Sequence, residues 1–299
     1  MRNTLNFPSI VACIFTLIVI TKSTGLIAGN LPSLALNAST NIEQQGSDLL
    51  LKGQFTQGAL LRGQLPPRSK VWLNGKSIAT HPNGSFVLGF GRDAALSHQL
   101  EWQKHDQSVK HTQDILLEKR EYSIQRIEGV ASKYVSPPES VQARIKADNQ
   151  KIAAARRVNS LLTGYLESFI MPAKGPISGV YGSQRVFNGV PKRPHFGLDI
   201  AGPVGTEIIA PASGKVSLVH SDMYYSGGTL IIDHGMGISS TFIHLSRITV
   251  KEGDVIHQGD KIAEMGATGR VTGPHLDWRI NWYRERLDPA LLLENGLSK

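Results

Sequence analysis

Five histidine and aspartate residues in the C-terminal half of this sequence are spaced so that they could bind a metal and move protons. In Pro194-His195-Phe196-Gly197-Leu198-Asp199-Ile200, a histidine and an aspartate stand four apart around a glycine. A neutral imidazole and a carboxylate are both good zinc ligands. Alone, this spacing arises by chance often enough that a turn with a structural aspartate explains it better. In Thr241-Phe242-Ile243-His244-Leu245-Ser246, His244 falls at the end of a predicted strand; a lone histidine there is more often packed than catalytic. The third group is Gly266-Ala267-Thr268-Gly269-Arg270-Val271-Thr272-Gly273-Pro274-His275-Leu276-Asp277-Trp278-Arg279. A glycine-rich turn leads into His-x-Asp on a strand, and residues two apart on a strand face the same side. His275 and Asp277 therefore point into one space.

Taken together and in this order, the three groups resemble the lysostaphin/LytM-type zinc endopeptidases of bacterial cell walls. That family's pattern is H-x-x-x-D, then His-Leu near a strand end, then a glycine turn with G-P-H-L-H. The resemblance runs from about Pro172 to Leu293 and includes Gly179-Val180-Tyr181-Gly182-Ser183, Asp233-His234-Gly235 and the stretch 250–259. Carried over by position, it implies that His195 and Asp199 are zinc ligands. It also implies that His244 and His275 are a catalytic pair flanking the metal, in either assignment of acid and base. The remaining family ligand, the second histidine of H-x-H, is Asp277 here. Aspartate is a legitimate zinc ligand. A one-histidine, two-aspartate set is formally neutral with a divalent ion, where two histidines and one aspartate leave one positive charge. The expectation is a weaker Lewis acid than the family's usual site. The implied reaction is metal-assisted hydrolysis of peptide cross-links in peptidoglycan. The alternative is an impaired homologue that binds cell wall or activates an amidase.

Other residues carry less. His234 precedes a glycine and reads as structural, and His220 and His257 as surface or packing residues. Arg185, Asn188, Tyr224 and Tyr225 are candidates for the border of a substrate groove. Ser246 beside His244 lacks the G-x-S-x-G elbow of a serine hydrolase. The stretch 250–259 with Lys261 also resembles the hairpin of biotinyl and lipoyl carriers, but Lys261 starts a predicted strand instead of sitting at a hairpin tip.

The elements that must position these residues are mostly strands. In the C-terminal part the expected strands are 215–220, 229–233, 239–243 and 261–265. Upstream, 49–55, 59–65, 70–73 and 86–90 read as short strands, with Asn74-Gly75 and Asn83-Gly84 as tight turns. Ser136 before Pro137 and Pro138 starts a predicted helix over 140–159. The expected architecture is mainly β. A signal peptide over 1–35 precedes a small antiparallel, sandwich-like β domain over 47–118. A linker with a helix over 119–165 follows, and then an antiparallel β peptidase domain over 166–299.

The N-terminus carries Arg2, an apolar run from Ile10 to Ile20 and then Lys22. That run is short for a bilayer span and suits a signal peptide, with Ser33-Leu34-Ala35 as a cleavage triplet and an uncleaved anchor as the alternative. The one cysteine, Cys13, precedes most of the apolar stretch, which argues against a lipoprotein box. Without it the mature chain has no thiolate for metal binding or catalysis. The net charge of +8, on Lys and Arg residues without a long basic run, favours anionic surfaces over nucleic acid. Export places the protein in the periplasm or outside the cell. Its expected partners are peptidoglycan and, as a second class, a cell-wall amidase or other division protein, with the membrane met only through the signal.

Overall fold

In the computed structural model, the structure describes residues 42–45, 48–128, 138–191 and 193–293. The expected signal peptide and Cys13 lie outside these residues. The chain is mostly strand, as its alternating apolar runs and frequent turns require.

The first eight strands are β1 (Ile42–Gln45), β2 (Leu50–Gly53), β3 (Leu60–Gln64), β4 (Lys70–Leu73), β5 (Lys76–Ile78), β6 (Ser85–Gly89), β7 (Ser97–Gln103) and β8 (Lys110–Leu116). They form two antiparallel four-stranded sheets, ordered β1-β2-β3-β6 and β5-β4-β7-β8. The sheets share a core that includes Leu51, Leu61, Phe86, Leu88, Leu100 and Ile115. Asn74 and Gly75 both have positive φ, 50° and 74°, and close the two-residue hairpin between β4 and β5. Positive φ at both central positions matches the twist of the flanking strands and is the reason Asn-Gly is favoured there.

Next come β9 (Ile124–Ile127) and one helix, α1 (Gln142–Ala155), entered through a 3-10 turn at Glu139–Val141 after Pro138. The helix ends four residues before the predicted boundary. After Ala155 the chain turns so that the Arg156 side chain donates to Thr241 Oγ1 at 2.9 Å. The Ser160 carbonyl then accepts from the Met236 amide at 3.0 Å. The second contact pairs a backbone carbonyl that a longer helix would have used, and the two tertiary contacts together override propensity.

The remaining strands are β10 (Ile177–Gly179), β11 (Gln184–Phe187), β12 (Val190–Pro191), β13 (Leu198–Ala201), β14 (Glu207–Ile209), β15 (Gly214–Met223), β16 (Gly227–Gly235), β17 (Ile238–Ile248), β18 (Val255–Ile256), β19 (Lys261–Met265), β20 (His275–Trp282) and β21 (Glu285–Leu287). Strands β12, β11 and β9 make a small sheet. The large sheet runs β10-β13-β20-β17-β16-β15-β18; β19 pairs with β14 and β17, and β21 with β20. Lys261 begins β19 and its ammonium pairs with Glu264 at 2.9 Å, so it does not occupy a hairpin tip.

The large sheet buries one face in a core around Leu198, Ile200, Phe242, Leu276, Trp278 and Ile280. The alternate positions face the other way. Part of that second face is covered by α1, whose Ile152 and Ala155 pack on Leu218, Met223 and Ile231. The N-terminal sheets are joined to the C-terminal part by Leu60 and Val87, which enter the core of the large sheet, and by polar contacts. Arg62 donates to the carbonyls of Tyr165 and Glu167, and Arg120 pairs with Asp288 at 2.8 Å. No helix among the described residues is long and apolar enough to cross a membrane.

Candidate metal centre

The second face of the large sheet gathers the residues singled out above. Strands β13 and β20 are antiparallel, with Asp199 directly opposite Asp277 and Ala201 opposite His275. Directly opposed residues share a face, as do residues two apart. Asp199, His275 and Asp277 therefore converge. His195 lies just before β13, held by backbone hydrogen bonds from His195 to the Ser183 carbonyl and from Gly182 to the His195 carbonyl, at 2.9 and 2.8 Å. His195, Asp199 and Asp277 bring one ligand atom each to within 4.8 Å of one another. His195 Nε2 stands 3.1 Å from Asp199 Oδ1, and His275 Nε2 stands 4.0 Å from the same oxygen.

His244 reaches this group by a distortion. On β17, Phe242 points into the core, and strict alternation would send His244 the same way. Instead His244 has φ +68°, and the register of β17 shifts between its pairings with β16 at this point. Such a bulge re-aims a side chain at some local conformational cost. The imidazole turns toward His275, with ring centroids 4.9 Å apart.

Hydrogen bonds set the tautomers of both rings. His244 Nδ1 lies 2.8 Å from the Thr268 carbonyl, and His275 Nδ1 lies 2.9 Å from the Gly273 carbonyl. A carbonyl only accepts, so each Nδ1 carries the proton, and in the neutral ring Nε2 keeps its lone pair. Burial, with help from the neighbouring His275, pushes the His244 pKa down to about 4 against the pull of Asp277. His244 is therefore neutral near pH 7.

Asp277 is 1% exposed. Burial pushes its pKa up, but the Arg279 charge, His195, the Arg279 hydrogen bonds and His244 outweigh burial and hold it well below the usual carboxylate range. Arg279 grips it with two bonds, Nε to Oδ1 at 2.9 Å and a terminal nitrogen to Oδ2 at 2.6 Å.

The residues fit a divalent metal. His195 is 2% exposed, and neither of its ring nitrogens has a hydrogen-bond partner among the described residues. Buried polar atoms in folded proteins nearly always have one. Zinc–ligand bonds of about 2.0–2.2 Å from nitrogen and oxygen can bridge the 3.1 Å gap between His195 Nε2 and Asp199 Oδ1. Asp277 retains acceptor capacity beyond its two bonds to Arg279, because a carboxylate offers about four lone-pair sites.

The other candidates lie outside the ligand cluster. His234 is fully buried, with Nδ1 2.8 Å from the Ser213 carbonyl and Nε2 2.7 Å from Ser240 Oγ. Ser246 donates to the Met265 carbonyl at 2.8 Å. Asn188 and Gly189, with φ 47° and 78°, form the turn between β11 and β12. The Tyr224 amide donates to Asp148 of α1 at 2.8 Å, and the Tyr225 carbonyl accepts from the Arg270 amide at 2.8 Å, tying that loop to the helix and to the glycine-rich turn. Sequence reasoning missed two residues. Arg279 was legible, since it stands two residues beyond Asp277 on one strand. Arg156, 9% exposed and bonded to Thr241 directly opposite Arg279, gave no signal because it arrives from the linker helix.

Residues 193–289 match the profile of Peptidase family M23. The chain is similar to the peptidoglycan DD-endopeptidase ShyB of Vibrio cholerae, 41% identical over 87 residues, which is 29% of this chain and 20% of the relative. It is also similar to the DD-carboxypeptidase/endopeptidase Mpg of Neisseria meningitidis, 40% identical over 91 residues, 30% of this chain and 21% of the relative. The chain thus matches about a fifth of the length of these relatives. A solved peptidase M23 structure from Pseudomonas aeruginosa superposes with a TM-score of 0.62 at 28% identity, covering 81% of this chain and 96% of that one. That likeness extends well beyond residues 193–289.

Proposed function

We propose, from the match of residues 193–289 to Peptidase family M23, that this chain is a zinc-dependent endopeptidase acting on the peptide cross-links of peptidoglycan. The observation that carries the reading is the convergence of His195, Asp199 and Asp277 beside two histidines whose tautomers are fixed. By name ShyB is a peptidoglycan DD-endopeptidase and Mpg a DD-carboxypeptidase/endopeptidase, which supports the substrate class. That substrate also places the protein outside the cytoplasmic membrane.

In this reading His195, Asp199 and Asp277 hold the metal. When bound, zinc supplies Lewis acidity toward the scissile carbonyl. His275 Nε2, held with its lone pair toward the ligand group, takes the proton of the attacking water. The proton taken by His275 goes on to the leaving amine, directly or through His244 Nε2 on the adjacent side, which stabilises the developing negative oxygen while it carries that proton. The low pKa of His244 keeps it neutral before the reaction and makes it a strong acid once charged. The carbonyls of Thr268 and Gly273 hold the two rings in place through each cycle.

Metal analysis of the purified protein tests this reading. About one zinc per chain is expected, and Asp199→Ala should lose it because a ligand is removed. A chain that takes up no divalent ion at neutral pH would contradict the reading.

A further inference from the structure

We propose that Asp277 and Arg279 act as one unit: a formally neutral ligand that replaces the second histidine of the H-x-H pattern, with Arg279 setting the charge of the centre. The inference rests on the reading of the site as a metal centre and adds a role for Arg279 within it.

The sequence alone suggested that two aspartates would cancel the charge of a divalent ion. The structure adds a third charge. The Arg279 guanidinium lies fork-to-fork on the carboxylate, at 2.9 and 2.6 Å. With Asp277 1% exposed, water screens this pair little. The pair sums to zero, as a neutral imidazole does. The ligand set then carries the single negative charge of Asp199, the same as two histidines and one aspartate. Each Asp277 oxygen uses one acceptor site on Arg279 and keeps another for an ion.

The surroundings are built for the pair. Gly197 faces Arg279 across the β13–β20 ladder. A Cβ at Gly197 would stand 2.1 Å from Asp277 Oδ1 and 2.9 Å from Arg279 Cγ. Only a residue without a side chain leaves room for the pair. On the other flank, Thr241 lies directly opposite Arg279 and holds the Arg156 guanidinium. The charges of Arg279 and Arg286 are felt at Arg156, so cations crowd this side. An Arg279 that swung away from Asp277 would move toward like charge. Arg279 is therefore a positioning residue, acting on the metal through Asp277.

Zinc affinity of the full chain, measured by competition with a chelator, tests the proposal across four proteins: wild type, Asp277→His, Arg279→Gln and the double variant. Asp277→His leaves Arg279 unpaired beside the ion and should weaken zinc binding about tenfold or more, in the range seen when a ligand's supporting partner is changed. Arg279→Gln leaves a full carboxylate charge facing the ion and should tighten binding by about tenfold. The double variant restores the family pattern and should return to within about threefold of wild type. Cobalt loaded in place of zinc gives a second readout, since the ligand field at the ion should shift in each single variant. Should Arg279→Gln fold poorly, Arg279→Lys keeps the charge but loses the fork, and should bind zinc more nearly like wild type than Asp277→His does.

Wild type that binds zinc, with Arg279→Gln unchanged or weaker, would overturn the role given to Arg279 and leave the metallopeptidase reading standing. Wild type without zinc beside a double variant that binds it would show that Arg279 locks Asp277 away from the ion, which also overturns the proposal. Zinc bound by neither would remove the metal reading and this inference with it.

Discussion

His244 and His275 are joined to the backbone through Nδ1, and in the proposed reaction their remaining nitrogens carry the proton transfers. His244→Ala should lower the rate of peptide hydrolysis by about 10²–10⁴-fold, the usual contribution of a general acid or base. It should leave zinc content unchanged, because His244 is not among the three clustered ligands. Parallel kinetics and metal analysis of the variant check both parts. Gly197→Ala should be costly despite its small size. The added methyl meets the Asp277 carboxylate and the Arg279 stem, and overpacking of this kind costs about 1–3 kcal/mol. Thermal unfolding measures that cost, and zinc competition should show weaker binding in the same variant. At this scale the sequence was informative wherever a residue type and its spacing carry the chemistry. His275 and Asp277 could be read that way because strand periodicity brings i and i+2 together, whereas His195 and Asp199, four apart, stand out through the family resemblance.

At the scale of elements, the strands of both halves were largely legible, since apolar alternation and Asn-Gly turns act locally. Strands β4 and β19 match their predicted runs, and β15, β16 and β17 extend beyond them. Three features were not legible, for physical reasons. The bulge at His244 depends on how β17 must meet both β16 and β19, which no local pattern encodes. The end of α1 at Ala155 depends on Thr241, 85 residues from Arg156. The α1 docking face is narrow, since only Ile152 and Ala155 pack on the apolar cluster of the sheet. Asp148 of α1 caps the Tyr224 amide, and Arg144 pairs with Asp222 at 2.7 Å. Asp148→Ala should leave that amide without its acceptor and loosen α1, at a cost of about 1–3 kcal/mol. Hydrogen exchange should then quicken across 142–155 and at the Tyr224 amide while the β19 amides stay protected; uniform loss of protection would contradict this local role.

For the whole molecule, acid is the natural stress. His234 is fully buried, and burial pushes its pKa down to about 4 against the pull of the Ser213 carbonyl and Glu167. The unfolded chain has the ordinary value of 6.5. Between these values the unfolded state holds a proton that the folded state lacks, so stability rises with pH there. It is fully present above about pH 6.5 and falls as pH drops toward 4, by on the order of 3 kcal/mol for this residue. Asp233 acts in the opposite sense, because burial raises its pKa. Denaturant unfolding of metal-free protein between pH 7.5 and 4.5 should show a shallower pH dependence in His234→Asn than in wild type, and equal slopes would contradict the assignment. The net charge of +8 also bears on the whole molecule. Attraction to an anionic wall is screened by salt over roughly 10 Å at 0.1 M, so retention on isolated peptidoglycan should fall as salt rises.

In the proposed function this site, loaded with metal, cuts peptide bonds in the cell wall. The most direct test is digestion of isolated peptidoglycan by the zinc-loaded chain, with His244→Ala alongside and the released fragments read by mass. Fragments with opened peptide cross-links are expected from the wild-type chain, and far fewer in the same time from the variant. Intact cross-links after treatment with fully zinc-loaded wild type would contradict the proposed function.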